Sequence, residues 1–195
     1  MIDNNFNFRL AGMKGKGTDK HSDLIKNQIK ILEAVIPIIQ NVSNFGTERQ
    51  INDEINKRIR NCQNILGMAG DRRSAILYYE KSINSSQTKE KNKFQVEHTI
   101  PVSIAVQRYN EGVPMDKLIF EPIALITKES DQWLDKNGLS KSGHDFDFPF
   151  RRYHKVGIEI KDLFGEVIDC YNFSIYDHYD LIKKVPQLQK VIDEI

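Results

Sequence analysis

Apolar residues recur at helical spacing through the first third of the chain and change to short strand-like runs afterwards. Leu24, Ile25, Ile29, Leu32, Val35, Ile36 and Ile39 lie mostly three or four residues apart, the stripe of an amphipathic helix. Thr18 or Ser22 offers a side-chain oxygen to cap its first turn, and Pro37 bends it or marks its last turn. Ile51, Ile55, Ile59, Cys62, Ile65 and Leu66 form a second stripe, on a helix that opens at Thr47 and is stopped by Gly67 and Gly70. A third helix is predicted over roughly 71–83, carrying Ala75, Ile76, Leu77, Tyr78 and Tyr79.

Residues 84–93 contain almost no apolar side chain and read as an exposed loop, the best candidate boundary in the chain. Beyond it the pattern predicts strands at 94–96, 118–126, 157–160 and 166–169, the last two separated by Phe164-Gly165 as in a hairpin. Residues 179–195 return to helical spacing. Residues 1–17, with Lys14-Gly15-Lys16-Gly17, have no apolar period and read as a flexible arm. The expected organisation is therefore an α+β chain: an arm (1–17), a helical region (18–86) and a mixed domain (94–195) with a small β-hairpin and a C-terminal helix.

Composition narrows the class. With 195 residues, 39% hydrophobic and 28% charged, the chain is ordinary for a globular protein and too apolar for a disordered one. No apolar run approaches the roughly 18 residues that cross a bilayer, and the first residues lack a basic start with an apolar core, so no membrane span or secretory signal is expected. Cys62 and Cys170 form no CxxC pair, which argues against a zinc knuckle and suits a reducing cytoplasm. The net charge of +1 hides an asymmetry. Residues 1–95 carry 16 Lys and Arg against 10 Asp and Glu, and residues 96–195 carry 12 against 17. A basic half beside an acidic half suits a nucleic-acid enzyme that grips phosphates with one region and a metal with the other; unevenly charged solvated surface reads equally well.

The densest chemistry is Val96-Glu97-His98-Thr99-Ile100-Pro101, a carboxylate and an imidazole at the end of a β-type run. An imidazole takes a proton from water near neutral pH, and a carboxylate suits a hard divalent ion. On a regular strand the two side chains would face apart, so one site can use both only if the backbone turns there, as Pro101 allows. Glu97-His98-Thr99-Ile100-Pro101 resembles the first motif of HNH, or His-Me finger, endonucleases, acid-His-x-x-Pro. Leu125-Ile126-Thr127-Lys128-Glu129-Ser130-Asp131 is similar to that family's strand-to-helix turn. The resemblance covers about residues 94–136 and implies a ββα-metal core. It further implies His98 as general base, Glu97 as one metal ligand and Asp131 at the second-ligand position, with Mg2+ or Mn2+ as cofactor. Two departures stand out. Asp131 replaces the usual His or Asn, leaving His144 as an alternative ligand, and the asparagine that braces the family's loop is displaced or appears as Lys117.

The partner implied is nucleic acid, double-stranded DNA in the first instance, cut at its phosphodiester bonds. Lys128, Arg151 and Arg152 are the candidate phosphate contacts; the last two lie among aromatics in Phe148-Pro149-Phe150-Arg151-Arg152-Tyr153. In that segment the aromatics read as core plugs. His21, His154 and His178 read as structural or surface residues, and Trp133 as core. The helical stripes suit a homodimer as well as a monomer. The alternative to an enzyme is a nucleic-acid- or protein-binding module that keeps an HNH-like core and cuts nothing.

Overall fold

The computed structural model describes residues 19–41, 47–66, 76–83, 93–140 and 142–195; the arm, Thr18 and nearly all of the 84–93 stretch lie outside them. Among the described residues the chain is α+β, with eight helices and a four-stranded mixed sheet. No described helix is long and apolar enough to cross a membrane.

Helices α1 (Asp19–Asn41) and α2 (Glu48–Leu66) pack on each other along the two predicted stripes. Ile25 and Leu32 of α1 share a buried cluster with Ile55, Ile59, Cys62 and Leu66 of α2. The half-polar Arg58 also turns inward. Its guanidinium donates to Gln28 Oε1 at 2.7 Å and to Glu54 Oε2 at 3.0 Å, so burying it leaves little unpaired charge. Pro37 lies inside α1, four residues before its end, where the missing N–H costs a single hydrogen bond.

The predicted third helix is absent over residues 76–83. Tyr78–Glu80 instead form strand β1, inserted between β3 (Ile123–Thr127) and β4 (Ile160–Asp162), and β2 (Phe94–His98) pairs with the far side of β3. β1 runs parallel to β3 with Tyr78 opposite Ala124, and antiparallel to β4. The reason for the misreading is physical. An interior strand is buried on both faces, so Ile76-Leu77-Tyr78-Tyr79 shows no polar alternation to betray a period of two. Tyr78 faces the main core, 4.7 Å from the Phe150 ring. Tyr79 faces a second cluster with Ile76, Ile83, Phe94 and Leu125.

That placement joins the two halves of the chain. The sheet takes β1 from before residue 84 and β2, β3 and β4 from after it, and the main core mixes α1 and α2 residues with Phe150, Tyr153, Ile182 and Leu188. Three smaller elements also differ from expectation. Leu118 and Ile119 are helical, in α4 (Met115–Ile119), so the following strand begins only at Ile123. The hairpin contracts to β4 and a single bridge between Lys161 and Val167 across the Gly165 turn, where φ is +88°. The C-terminal stretch is two helices, α7 (Ile175–Lys183) and α8 (Pro186–Glu194). Proline suits the first turn of the second but cannot continue the first.

His178, on α7, ties this C-terminal layer to the sheet. Its Nδ1 accepts from the Tyr78 hydroxyl at 2.7 Å, and Nε2 donates to the Phe120 carbonyl just before β3. Burial depresses its pKa to about 4, so the folded protein holds it neutral. Between the unfolded value near 6.5 and the folded value near 4, the unfolded chain binds a proton that the folded one refuses. His178 therefore contributes stability at neutral pH that is lost as pH falls through that window. Against His178→Gln, wild-type unfolding free energy should fall by up to about 3 kcal/mol between pH 7 and pH 4. Urea denaturation of both proteins at each pH checks this; parallel pH dependences would refute it.

Candidate functional site

β2 meets β3 in a regular ladder, from Phe94 opposite Thr127 to Glu97 opposite Ala124 and His98 opposite Ile123. Directly opposed residues share a face, so Glu97 lies on the Ala124 side and His98 on the Ile123 side. The ladder ends at His98, and the backbone bends through Thr99 and Ile100 into α3 (Val102–Asn110). Thr99 fastens that bend: its hydroxyl donates to the Pro122 carbonyl at 2.7 Å, and its backbone N–H points to the same oxygen at 3.3 Å. This buried threonine braces the loop that the resemblance would assign to an asparagine, whereas Lys117 is exposed on α4.

At the other end of β3, Thr127 caps α5 (Lys128–Lys136), its hydroxyl accepting from the Ser130 N–H at 3.1 Å. Glu80 of β1 steadies the same junction by accepting from the Thr127 N–H at 2.8 Å. Glu129 and Asp131 occupy the first turn of α5, where the helix dipole favours negative charge. Helix α5 packs on β2 and β3. Burial raises the Glu97 pKa first and foremost; Arg152 opposes that, and the Asp131 charge adds to it. The two carboxylates are thus electrostatic neighbours.

The histidine has different company. Burial depresses the His98 pKa to about 4, with the Arg60 guanidinium of α2 adding to the effect. Its imidazole is therefore neutral near pH 7, the form that can accept a proton. Glu97 and His98 face apart as the pleat requires, with Arg152 and Asp131 around one and Arg60 near the other.

Arg152 corrects the sequence-based expectation most clearly. Predicted as a phosphate contact, it is 1% exposed in α6 (Arg151–Lys155) and bonds inward. Its Nη2 donates to Glu97 Oε1, to the His98 carbonyl at 3.0 Å and to the Tyr153 hydroxyl at 3.2 Å, while Nη1 reaches the Leu139 carbonyl at 3.0 Å. A guanidinium so committed cannot also reach a phosphate. Arg151, its neighbour on α6, points elsewhere: it pairs with Asp145 at 3.1 Å and lies over the Phe148 ring at 3.5 Å.

His144 turns both ring nitrogens toward carbonyl oxygens, Nδ1 to Thr99 at 3.2 Å and Nε2 to Ser140 at 3.4 Å. A neutral ring can donate to only one of them, and burial lowers the His144 pKa, but neither nitrogen is turned outward as a ligand. Lys128 is exposed at the start of α5. Trp133, expected in the core, is 45% exposed with the Lys136 ammonium 5.3 Å from its ring centre. Among the described residues no group of three or more His, Cys, Asp or Glu side chains is close enough to hold a metal ion. No protein-family model, curated protein or solved structure matches the chain.

Sequence spacing brought Glu97, His98 and Asp131 into view, but not Arg152 as the brace or Arg60 as the cation beside His98. Each arrives from a distant element. Arg152→Met should lower unfolding free energy by about 3–5 kcal/mol, because it strands a buried carboxylate and two carbonyls. Adding Glu97→Gln should recover part of the loss, as read in urea denaturation. Equal instability in the single and double variants would mean that the ion pair is not what Arg152 contributes.

Proposed function

We propose that this chain is a metal-dependent nuclease that hydrolyses phosphodiester bonds in DNA, with its centre where β2, β3 and α5 meet. The observation that carries the reading is the packing of α5, with Asp131 in its first turn, on the β2–β3 pair that carries Glu97 and His98, close enough for the Asp131 charge to act on Glu97. Two like charges held together on a partly buried surface favour a cation between them. The donor set fits a small hard ion. Magnesium is commonly held by one or two carboxylates, with waters and substrate phosphates completing its shell, so a third protein ligand is not required.

In this reading Glu97 and Asp131 hold Mg2+ or Mn2+, which when bound offsets negative charge on the phosphate and leaving oxygen. Arg152 occupies Glu97 Oε1 and orients the carboxylate, whose side chain remains 19% exposed. The resemblance assigns the base to His98: its ring lies on the face away from Glu97, so it reaches the attacking water only around the end of β2. It does so from the last position of the ladder, where the bend at Thr99 begins. Lys128 and the exposed Trp133 lie on the same helix as Asp131 and contribute positive charge and a stacking surface for the nucleic acid.

A second reading keeps the frame and drops the chemistry: a nucleic-acid-binding module in which Glu97 serves only as the partner of Arg152. The buried ion pair and the opposite facing of Glu97 and His98 favour it. Incubating plasmid and labelled single-stranded DNA with Mg2+, Mn2+ or EDTA separates the two. For the nuclease, cleavage should require the metal, and His98→Ala should lose at least about 100-fold in rate in protein that circular dichroism shows to be folded. Asp131→Asn should raise the metal concentration needed for half-maximal rate. Full activity in His98→Ala would remove the assignment of the base, and wild-type protein inert in every metal would leave the binding module.

A further inference from the structure

Between α3, α6 and the 143–148 loop lies an open cavity of about 620 Å³. Its lining includes Arg108, Arg151 and Lys155 against the single carboxylate of Asp145, together with the rings of Phe146 and Tyr171. Arg151 is partly neutralised by Asp145, and Arg108 pairs with Glu111 at 3.0 Å. Lys155 has no carboxylate partner among the described residues, and its ammonium leans over Gly143, whose φ of +74° carries the loop past it. A Cβ at Gly143 would come within 2.9 Å of Leu139 Cδ2 and 3.8 Å of the Lys155 Nζ, so the glycine keeps this wall thin. Tyr171 is 53% exposed, with Arg151 5.1 Å from its ring centre and the His154 ring 5.2 Å away.

The lining specifies its occupant. Excess positive charge with an unpaired ammonium calls for an anion, and the exposed Tyr171 ring calls for a planar group beside that anion. The volume is that of a small-molecule pocket. The cavity also adjoins the proposed centre. His144 lines it and touches the carbonyl of Thr99, the residue after His98, while Arg151 and Arg152 are neighbours on α6, one facing the cavity and the other Glu97. We propose that this cavity holds one unpaired nucleotide of a nucleic-acid strand, its phosphate against Lys155 and Arg108 and its base stacked on Tyr171. The proposal rests on the nucleic-acid reading of the neighbouring centre, and it adds that the substrate carries an unpaired base beside the bond to be cut.

The test is binding in EDTA, where no cleavage occurs. Fluorescein-labelled single-stranded and duplex DNA of the same length are titrated with wild type, Tyr171→Ala and Lys155→Glu across a range of salt. Both side chains are exposed, and melting curves verify that both variants fold. Tyr171→Ala should weaken single-strand binding about tenfold and leave duplex binding nearly unchanged. Lys155→Glu should lower the salt slope for the single strand by about one phosphate contact. Wild-type affinity and slope in both variants would overturn the proposal. So would equal weakening for single strand and duplex, which marks a patch that reads only backbone charge. Binding of 5′-AMP as tight as that of the oligonucleotide would assign the cavity to a free nucleotide and overturn the strand. Cleavage is assayed separately with Mg2+ or Mn2+. Selective binding without cleavage ends the nuclease reading alone, and cleavage with unaffected binding in both variants ends this inference alone.

Discussion

The buried guanidinium of Arg152 is the constraint on which the candidate centre depends. A cation with 1% exposure is tolerated only when its donors are engaged, and here four bonds run to Glu97, His98, Leu139 and Tyr153. These partners belong to β2, the turn after α5, and α6 itself. One side chain thus sets the distance between three elements that share no local sequence. The arrangement leaves the Arg152 Nε without a partner among the described residues, the residue of strain in an otherwise satisfied network.

A second tie works on the same face of the sheet, where Tyr78 and Glu97 both stand opposite Ala124. Tyr78, His178 and the Phe120 carbonyl form a buried chain that fixes the start of β3 to α7, while Thr99 fixes the end of β2 to Pro122. Between them the two ends of the loop that separates β2 from β3 are held. The loop itself is free to contain α3 and α4, whose outer surfaces contribute Arg108 to the neighbouring cavity. Glu121, buried just before β3 with one carboxyl oxygen unpartnered, is pushed by burial well above the ordinary carboxylate range.

Legibility followed the locality of the forces. Helices α1 and α2 could be read from their stripes because their apolar positions and the opening at Thr47 are local signals, and the capped start of α5 at Thr127 was equally plain. β1 was lost because a strand buried on both faces has no alternation, and the 118–126 run was overextended because Leu118 and Ile119 are apolar in a helix too. At the site, Glu97 and His98 announced themselves by adjacency and Asp131 by its distance from Thr127. Arg152, flanked by aromatics, looked like its neighbour Arg151; whether an arginine faces solvent or a carboxylate depends on how α6 meets β2, which no spacing records.

The amino-acid order alone determined the helix faces, the strand-to-helix turn and the two short segments that carry carboxylate and imidazole. Those depend on residue periodicity and on groups within one turn of each other. Only the tertiary structure decided that Tyr78–Glu80 would complete the sheet, that Glu97 would pair with Arg152 while His98 faced the other way, and that Arg108, Lys155 and Tyr171 would line one cavity. Each of those outcomes follows from long-range packing, in which a buried surface or a buried charge accepts whichever distant partner satisfies it.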